Sequence, residues 1–294
     1  MKKLFLFVII AGLAITGLVA VLRGPAREFT ASLFDDALKN GGSALPGPSF
    51  TDDKDSDGLS DAKEAIYGTN AAQNDTDGDG YKDGEEVTAG FDPTTPGQGK
   101  ISDNQTLMSN LSVRYFEWAR TVGGATNPQL NDQAVQQFLE TEGLLEAQIP
   151  TIADNELLHT EQGGPEAVRA YLDALAQIKL PAATGSYVDL ADEIIREKQS
   201  AILDDVVLGL DLTYRDIAAV PTPPEAIEIQ RGQLAMLKAL KNLFVDLYTV
   251  SNDPVKLVRD IAWGGDILEH SLEVEVKRRE LGASVAVTPS EENE

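Results

Sequence analysis

The chain has 294 residues, contains no cysteine and carries a formal net charge of −24 at neutral pH. The absence of cysteine excludes disulfides, thiolate zinc sites and thiol nucleophiles. The acidic balance makes nucleic acid a poor partner, because phosphate binding needs clustered lysine and arginine side chains. Hydrophobic residues make up 42% of the chain, which is enough for a substantial core.

The first element is an uncharged, mostly apolar run from Leu4 to Leu22, directly after two lysines. As a helix this run would span about 28 Å, close to the thickness of the hydrocarbon core of a bilayer. It is longer than the apolar region of a usual signal peptide and lacks a good small-x-small cleavage site. We therefore predict an uncleaved signal-anchor transmembrane helix at residues 1–23, which attaches the protein to the membrane. Cleavage there would instead make the protein secreted.

A spacer at residues 24–50 leads to the most acidic part of the chain. Residues 51–92 hold 13 of the 48 acidic side chains. Within them the calcium-loop pattern D-x-[DN]-x-[DN]-G-x5-E occurs twice, at residues 53–64 and 75–86. Side chains at positions 1, 3 and 5 of such a loop converge on the ion, and a glutamate at position 12 completes the shell. Position 6, where the backbone turns sharply, is Gly58 in one copy and Gly80 in the other.

These two copies resemble the thrombospondin type 3-like calcium repeats of bacterial surface proteins. The resemblance rests on the loop core, a period of 22 residues and the Gly68-Thr69-Asn70 and Phe91-Asp92-Pro93 segments, and it covers residues 51–95. It implies two bound Ca²⁺ ions. The ligands that it implies, with Leu59 and Tyr81 acting through their backbone carbonyls, are Asp53, Asp55, Asp57, Leu59, Asp61, Glu64, Asp75, Asp77, Asp79, Tyr81, Asp83 and Glu86. The cysteines of animal members are missing, and only two repeats are present.

Two loops at this spacing also look like a dockerin, a module that binds a protein partner. Dockerin loops commonly carry asparagine at position 3 and aspartate at position 12, whereas this chain has Asp and Glu there. The calcium loops also bear on topology, since extracellular calcium modules work at a Kd of roughly 10⁻⁴–10⁻³ M. That concentration is met outside cells, so we place everything after the anchor outside the cytoplasm, at the cell surface or in the periplasm.

After a linker at residues 96–102 the hydrophobic period becomes helical and stays so through residues 103–282. One helix is predicted across Leu107–Trp118, whose apolar residues recur every three or four positions. Thr222-Pro223-Pro224-Glu225 predicts a helix start with Thr222 as the cap, and Asp253-Pro254 predicts another. The predicted fold class is mainly α, comprising the transmembrane helix, the tandem calcium-loop repeats and a C-terminal bundle of about six helices. Residues 283–294 are predicted to be a disordered tail.

The helical part lacks recognisable catalytic motifs. His159 and His270, the two histidines, have no neighbours at metal-ligand spacing, and nucleophile-elbow, P-loop and dinucleotide-binding patterns are missing. We predict that the protein is not an enzyme but a membrane-anchored, extracytoplasmic calcium-binding structural or assembly protein with a protein partner at the cell envelope. The alternative is a ligand- or partner-binding module of a larger cell-surface machine, dockerin-like or a sensor. The sequence leaves open the identity of the partner and the oligomeric state.

Overall fold

The structure, a computed structural model, describes residues 50–124, 128–178, 200–246, 248 and 252–286. These residues are mainly helical and contain no strand, which confirms the mainly α fold class. Their α-helices are α1 (Asp61–Tyr67), α2 (Asp83–Ala89), α3 (Gln105–Met108), α4 (Leu111–Thr121), α5 (Asp132–Thr141), α6 (Pro165–Gln177), α7 (Ser200–Ala218), α8 (Ile227–Asp246) and α9 (Pro254–Ala286). None of these helices is long and apolar enough to cross a membrane. The predicted anchor at residues 1–23 lies outside the described residues.

The buried apolar side chains form two cores. The first, here called the N-terminal core, joins the acidic repeats to α4, α5 and the start of α9, and includes Leu59, Tyr67, Phe116, Phe138 and Val255. The second, the bundle core, is built from α6, α7, α8 and the middle of α9, and includes Tyr171, Leu175, Leu210, Leu234 and Ile267. The helices after residue 103 thus divide between two cores, and α4 and α5 pack with the repeats. Helix α9 contributes to both.

A buried carboxylate connects α4 to α9. Asp253, which is 4% exposed and directly precedes α9, accepts hydrogen bonds from the backbone N–H groups of Leu111 (2.8 Å) and Ser112 (2.9 Å). It also accepts one from the Ser112 hydroxyl at 2.8 Å, and that hydroxyl accepts one from the Val255 N–H at 3.0 Å. One carboxylate therefore satisfies orphan donors at the N-terminus of α4 while standing at the N-terminus of α9. We call this arrangement the Asp253 joint.

The helix predicted across Leu107–Trp118 is in fact two helices, α3 and α4, which meet at Ser109 and Asn110. The Asn110 side chain accepts hydrogen bonds from the N–H groups of Ser112 (2.9 Å) and Val113 (3.2 Å), so it begins a new helix. Its amide also donates to the backbone carbonyls of Asn252 (2.7 Å) and Ile66 (3.4 Å). The apolar period continued through this point and concealed the break.

The predicted capping role of Thr222 is also wrong. Residues 224–226 form a short 3-10 helix, and α8 begins at Ile227. Thr222 is fully buried; its N–H donates to the Leu158 carbonyl at 2.7 Å, and its hydroxyl donates to the Val220 carbonyl at 3.0 Å. Glu225 accepts a hydrogen bond from the Gly164 N–H at 2.7 Å, next to the start of α6. This segment thus ties α8 to the chain before α6.

At the other end of the bundle, α9 continues to Ala286, beyond Gly282, where the bundle was predicted to stop. Residues 287–294 of the predicted tail lie outside the described residues.

One carboxylate of the bundle, that of Glu156, accepts hydrogen bonds from three donors, one of which is the Ala153 N–H at 3.1 Å. The Oε2 atom of Glu156 accepts hydrogen bonds from the Lys238 ammonium at 2.6 Å and from the Tyr214 hydroxyl at 2.5 Å. The hydrogen bond from Lys238, followed by that from Tyr214, lowers the pKa of Glu156 to about 2. Because the folded protein holds this group ionised more strongly than the unfolded chain does, its contribution is present above about pH 4.5 and is lost as pH falls towards 2.

Replacing Glu156 with glutamine is therefore expected to lower the free energy of unfolding by about 1 kcal/mol at pH 7, a figure reduced for partial exposure. Urea unfolding of both proteins at pH 7 and pH 3 measures the difference, which should shrink at pH 3. Glu161→Gln changes an exposed carboxylate and should leave the free energy of unfolding unchanged at both pH values. A difference for Glu156→Gln that does not change with pH would contradict the assigned role of its charge.

Candidate metal centre

Three aspartates converge in the first loop. One carboxylate oxygen each from Asp53, Asp55 and Asp57 lies within 4.8 Å of the others. Asp53 is held by the N–H groups of Asp57 (3.2 Å) and Gly58 (3.0 Å), and Asp57 by the N–H of Leu59 (2.6 Å). The loop backbone thus wraps around its first aspartate and turns the side chains at positions 1, 3 and 5 towards one point.

The second loop repeats this geometry with Asp75, Asp77 and Asp79, whose carboxylates also converge within 4.8 Å. Asp75 accepts hydrogen bonds from the N–H groups of Gly78 (2.8 Å) and Gly80 (2.9 Å). Asp79 accepts one from its own loop, from Tyr81 at 3.0 Å. The two copies of the sequence pattern therefore adopt the same local structure.

The turn at position 6 explains the glycines of the pattern. Gly58 has a φ of +98° and Gly80 a φ of +99°, a region that residues with a Cβ rarely adopt. Position 4 is also left-handed, with φ +80° at Gly78 and +60° at Ser56. Ser56 is the one non-glycine residue with a positive φ among the described residues.

The glutamates at position 12 are buried beside these clusters. Glu64 is fully buried and Glu86 is 3% exposed. Within the described part of the chain, no hydrogen-bond donor reaches the Oε2 atom of either glutamate, both carboxylate oxygens of Asp55 or the Oδ2 atom of Asp77, all of which are buried. Burying carboxylate oxygens without partners is costly. An oxygen-seeking cation at the centre of each loop would supply the missing partner.

Burial and repulsion from neighbouring carboxylates both raise the pKa of the two glutamates. Burial, followed by repulsion from Asp55 and Asp57, raises the pKa of Glu64 to about 7. Burial, followed by repulsion from Asp77 and Asp79, raises the pKa of Glu86 to about 8. Each loop therefore concentrates negative charge where the protein alone does not compensate it.

The aspartates at position 9 make different contacts. Asp61 accepts a hydrogen bond from the Lys54 N–H at 3.2 Å and pairs with the Lys54 ammonium. Asp83 accepts hydrogen bonds from the Thr76 N–H (2.8 Å) and hydroxyl (2.6 Å). In both loops the aspartate at position 9 is thus hydrogen-bonded to the residue at position 2. The ligand roles of all twelve residues named from the sequence stay predictions, including those of Asp61 and Asp83 and of the Leu59 and Tyr81 carbonyls.

Comparison with known families supports the resemblance seen in the sequence. The model of the bacterial TSP3 repeat matches residues 53–70 and 75–96. Residues 53–96 form a pair of bacterial TSP3 repeats. The match does not extend to the helices that follow, and no curated protein and no solved structure matches the chain. TSP3 repeats are of the calcium-binding type.

The TSP3 repeats are fastened to α4 through their short helices. The ring of Tyr67, the last residue of α1, stacks with that of Phe116, with 6.1 Å between ring centroids. The Lys63 ammonium lies 5.2 Å from the centre of the same Phe116 ring. At the end of α2, a Cβ on Gly90 would lie 2.6 Å from the Arg120 guanidinium, so α4 contacts this turn closely. Movement of either short helix would disturb the N-terminal core.

Sequence reasoning missed several residues that hold the TSP3 loops in place. The Gly97 N–H, in a segment predicted to be a linker, donates to the Oδ2 atom of Asp79 at 2.8 Å. Gly84, inside α2, donates to Asp57 of the first loop at 3.0 Å. A glycine within a helix costs stability, so its presence in α2 was the available signal of a close contact. No comparable signal pointed to Gly97.

Proposed function

We propose that the TSP3 repeats bind two calcium ions, one in each loop. The observation that carries this proposal is the set of buried carboxylate oxygens without donors on Asp55, Glu64, Asp77 and Glu86. In each loop these oxygens belong to positions 3 and 12. The aspartate at position 3 is one of the three that converge, and the glutamate at position 12 is buried but is not among those three. Asp53 and Asp57, with Asp75 and Asp79, would supply the remaining side-chain oxygens.

The chemistry of the donors favours calcium over other cations. Both loops offer only oxygen ligands, with neither histidine nor cysteine among them, which disfavours zinc and copper. The pattern offers six ligand positions per loop, in keeping with the six to eight oxygens that calcium takes. Magnesium usually keeps several waters and is bound by one or two carboxylates, so a loop in which three aspartates converge suits it poorly.

The proposed role of the ions is structural. Calcium would neutralise each carboxylate cluster and fix the loop from which α1 or α2 begins. Because Leu59, Ile66 and Tyr67 belong to the N-terminal core, the same event would order α4 and α5 as well. Part of the metal-binding free energy would then become folding free energy of the helical part.

We further propose that the protein is anchored in a membrane and presents its helices outside the cytoplasm, where a partner at the envelope binds them. This proposal is supported by the apolar run from Leu4 to Leu22 and by calcium loops suited to extracellular calcium concentrations. In this role calcium would stiffen the segment between the anchor and the bundle.

Calorimetric titration of the full chain in detergent with calcium tests the binding proposal. We expect the wild type to bind two ions. The double variant Asp55→Asn, Asp77→Asn removes one donor-free carboxylate from each loop and should bind neither ion at comparable affinity. Glu85→Gln is the matched control, since Glu85 is exposed beside the buried Glu86 and should leave both ions bound. A wild type that binds no calcium at millimolar concentration would overturn the proposal.

A further inference from the structure

The two loops are in direct contact through a ligand residue of the first. The carboxylate of Asp57 is shared: its Oδ1 atom accepts the Leu59 N–H at 2.6 Å, and its Oδ2 atom accepts the Gly84 N–H at 3.0 Å. Gly84 lies 27 residues away, in the first turn of α2. The position 5 side chain of the first loop is therefore oriented partly by the second repeat.

The contact is close enough to exclude any side chain at position 84. A Cβ on Gly84 would lie 2.6 Å from the Asp57 carbonyl oxygen and 2.8 Å from both the Gly58 carbonyl carbon and the Leu59 nitrogen. All three are backbone atoms, which cannot move aside as a flexible side chain can. Nearby, the Lys82 ammonium donates to the Ser56 carbonyl at 3.2 Å. The N-terminus of α2 thus rests on the sharpest part of the first loop.

Helix α2 also carries the second loop's position 12 ligand, Glu86, two residues after Gly84. Placing Glu86 against its aspartate cluster fixes α2, and a fixed α2 holds the Gly84 N–H against Asp57. In the other direction, an ion in the first loop fixes Asp57 and the turn at Gly58, on which α2 rests. Each site needs the same interface between loop and helix, so either ion prepares that interface for the other.

We propose that the two loops bind calcium cooperatively, with the contact between Asp57 and Gly84 as the element that couples them. The proposal rests on the proposed calcium binding and goes beyond it, since two independent sites would serve the structural role equally well. Coupling between two sites is reciprocal and typically amounts to 5–150-fold in affinity. For a single buried interface we expect occupation of one site to raise the calcium affinity of the other about tenfold.

Three calcium titrations of the full chain in detergent measure the coupling. Glu64→Gln disables the first site and reports the second site alone, whereas Glu86→Gln reports the first alone. With coupling, the wild-type constant for binding both ions exceeds the product of the two single-site constants by about tenfold. Repeating the set with Gly84→Ala should bring this ratio close to one. If Gly84→Ala fails to fold, Lys82→Met can replace it. This variant weakens the same contact between α2 and the first loop by removing only the hydrogen bond from Lys82 to Ser56.

Amide hydrogen exchange provides a readout independent of affinity. In Glu86→Gln, calcium can occupy only the first loop, and we expect it to slow exchange at Gly84, whose N–H is bonded to Asp57. The matched control is Gly97, whose N–H is bonded to Asp79 of the disabled loop and should not respond. The cooperativity would be overturned if the wild type bound two ions with a constant equal to the product of the single-site constants and if exchange at Gly84 did not change. The proposed function would then still stand. Absence of binding in every protein would instead overturn the proposed function.

Discussion

Replacing Asp253 with alanine is expected to lower the free energy of unfolding by about 4 kcal/mol. The change removes the acceptor of the Leu111 N–H and of the buried Ser112 hydroxyl, and it leaves the Ser112 N–H with the Asn110 side chain as its remaining acceptor. It also leaves α9 without its preceding carboxylate. Each lost cap costs about 1–2 kcal/mol, and each buried donor left unsatisfied adds about 1–3 kcal/mol, partly overlapping.

Thermal unfolding of the full chain measures this effect, which corresponds to a fall in Tm of roughly 8–16 °C for a protein of this size. Asp253→Asn keeps one acceptor oxygen in the same shape and should fall between wild type and alanine. Asp216→Ala removes an exposed carboxylate paired with the adjacent Arg215 and should change Tm little. If Asp253→Ala were as mild as Asp216→Ala, the Asp253 joint would not hold α4 and α9 together.

Removing calcium is expected to have an effect that reaches beyond the loops. At a calcium concentration one hundred times the Kd, each of the two proposed sites would stabilise the folded protein by about 2.7 kcal/mol. Chelation should therefore expose amides in α1 and α2 and also in α4 and α5, because side chains of all four regions lie in or against the N-terminal core. Amides in the middle of α8, in the bundle core, should change much less.

Hydrogen exchange with and without a chelator, followed by peptide, distinguishes these regions. The variant Glu64→Gln, Glu86→Gln should show the chelated pattern at every calcium concentration, whereas Glu85→Gln should follow the wild type. Magnesium at the same concentration should restore little protection. Protection that changes only within residues 53–96 would contradict the claim that the ions order α4 and α5.

The loops were predictable because their structure is set locally. Converging carboxylates and left-handed glycines recur at fixed intervals, so a pattern of single residues captures them, as at Gly58 and Gly80. The existence of most helices was predictable for the same reason. The start of α6 at Pro165 and that of α9 at Pro254 follow directly from proline at the first helical position.

What could not be predicted depends on distant parts of the chain. Thr222 begins a good capping sequence, but its N–H and hydroxyl donate to the Leu158 and Val220 carbonyls instead. Tertiary packing determines these partners. Asn110 interrupts an unbroken apolar period because its side chain can cap α4 and reach Asn252 at the same time. That α4 and α5 share a core with the repeats was likewise not predictable, since an apolar face does not specify its partner.

The Asp253 joint sets an order of events during synthesis. Its partners on α4, Leu111 and Ser112, are separated from Asp253 by 142 and 141 residues, and Val255 completes the N-terminal core from the same distant segment. The repeats and α4 leave the ribosome long before Asp253 and Val255 do. Contacts between residues so far apart in sequence also form late in folding. The N-terminal core is therefore completed only after Val255 has been made, although its other elements precede that residue by more than 100 positions. A nascent chain truncated before residue 253 would hold its repeats against an unfinished, exposed apolar surface.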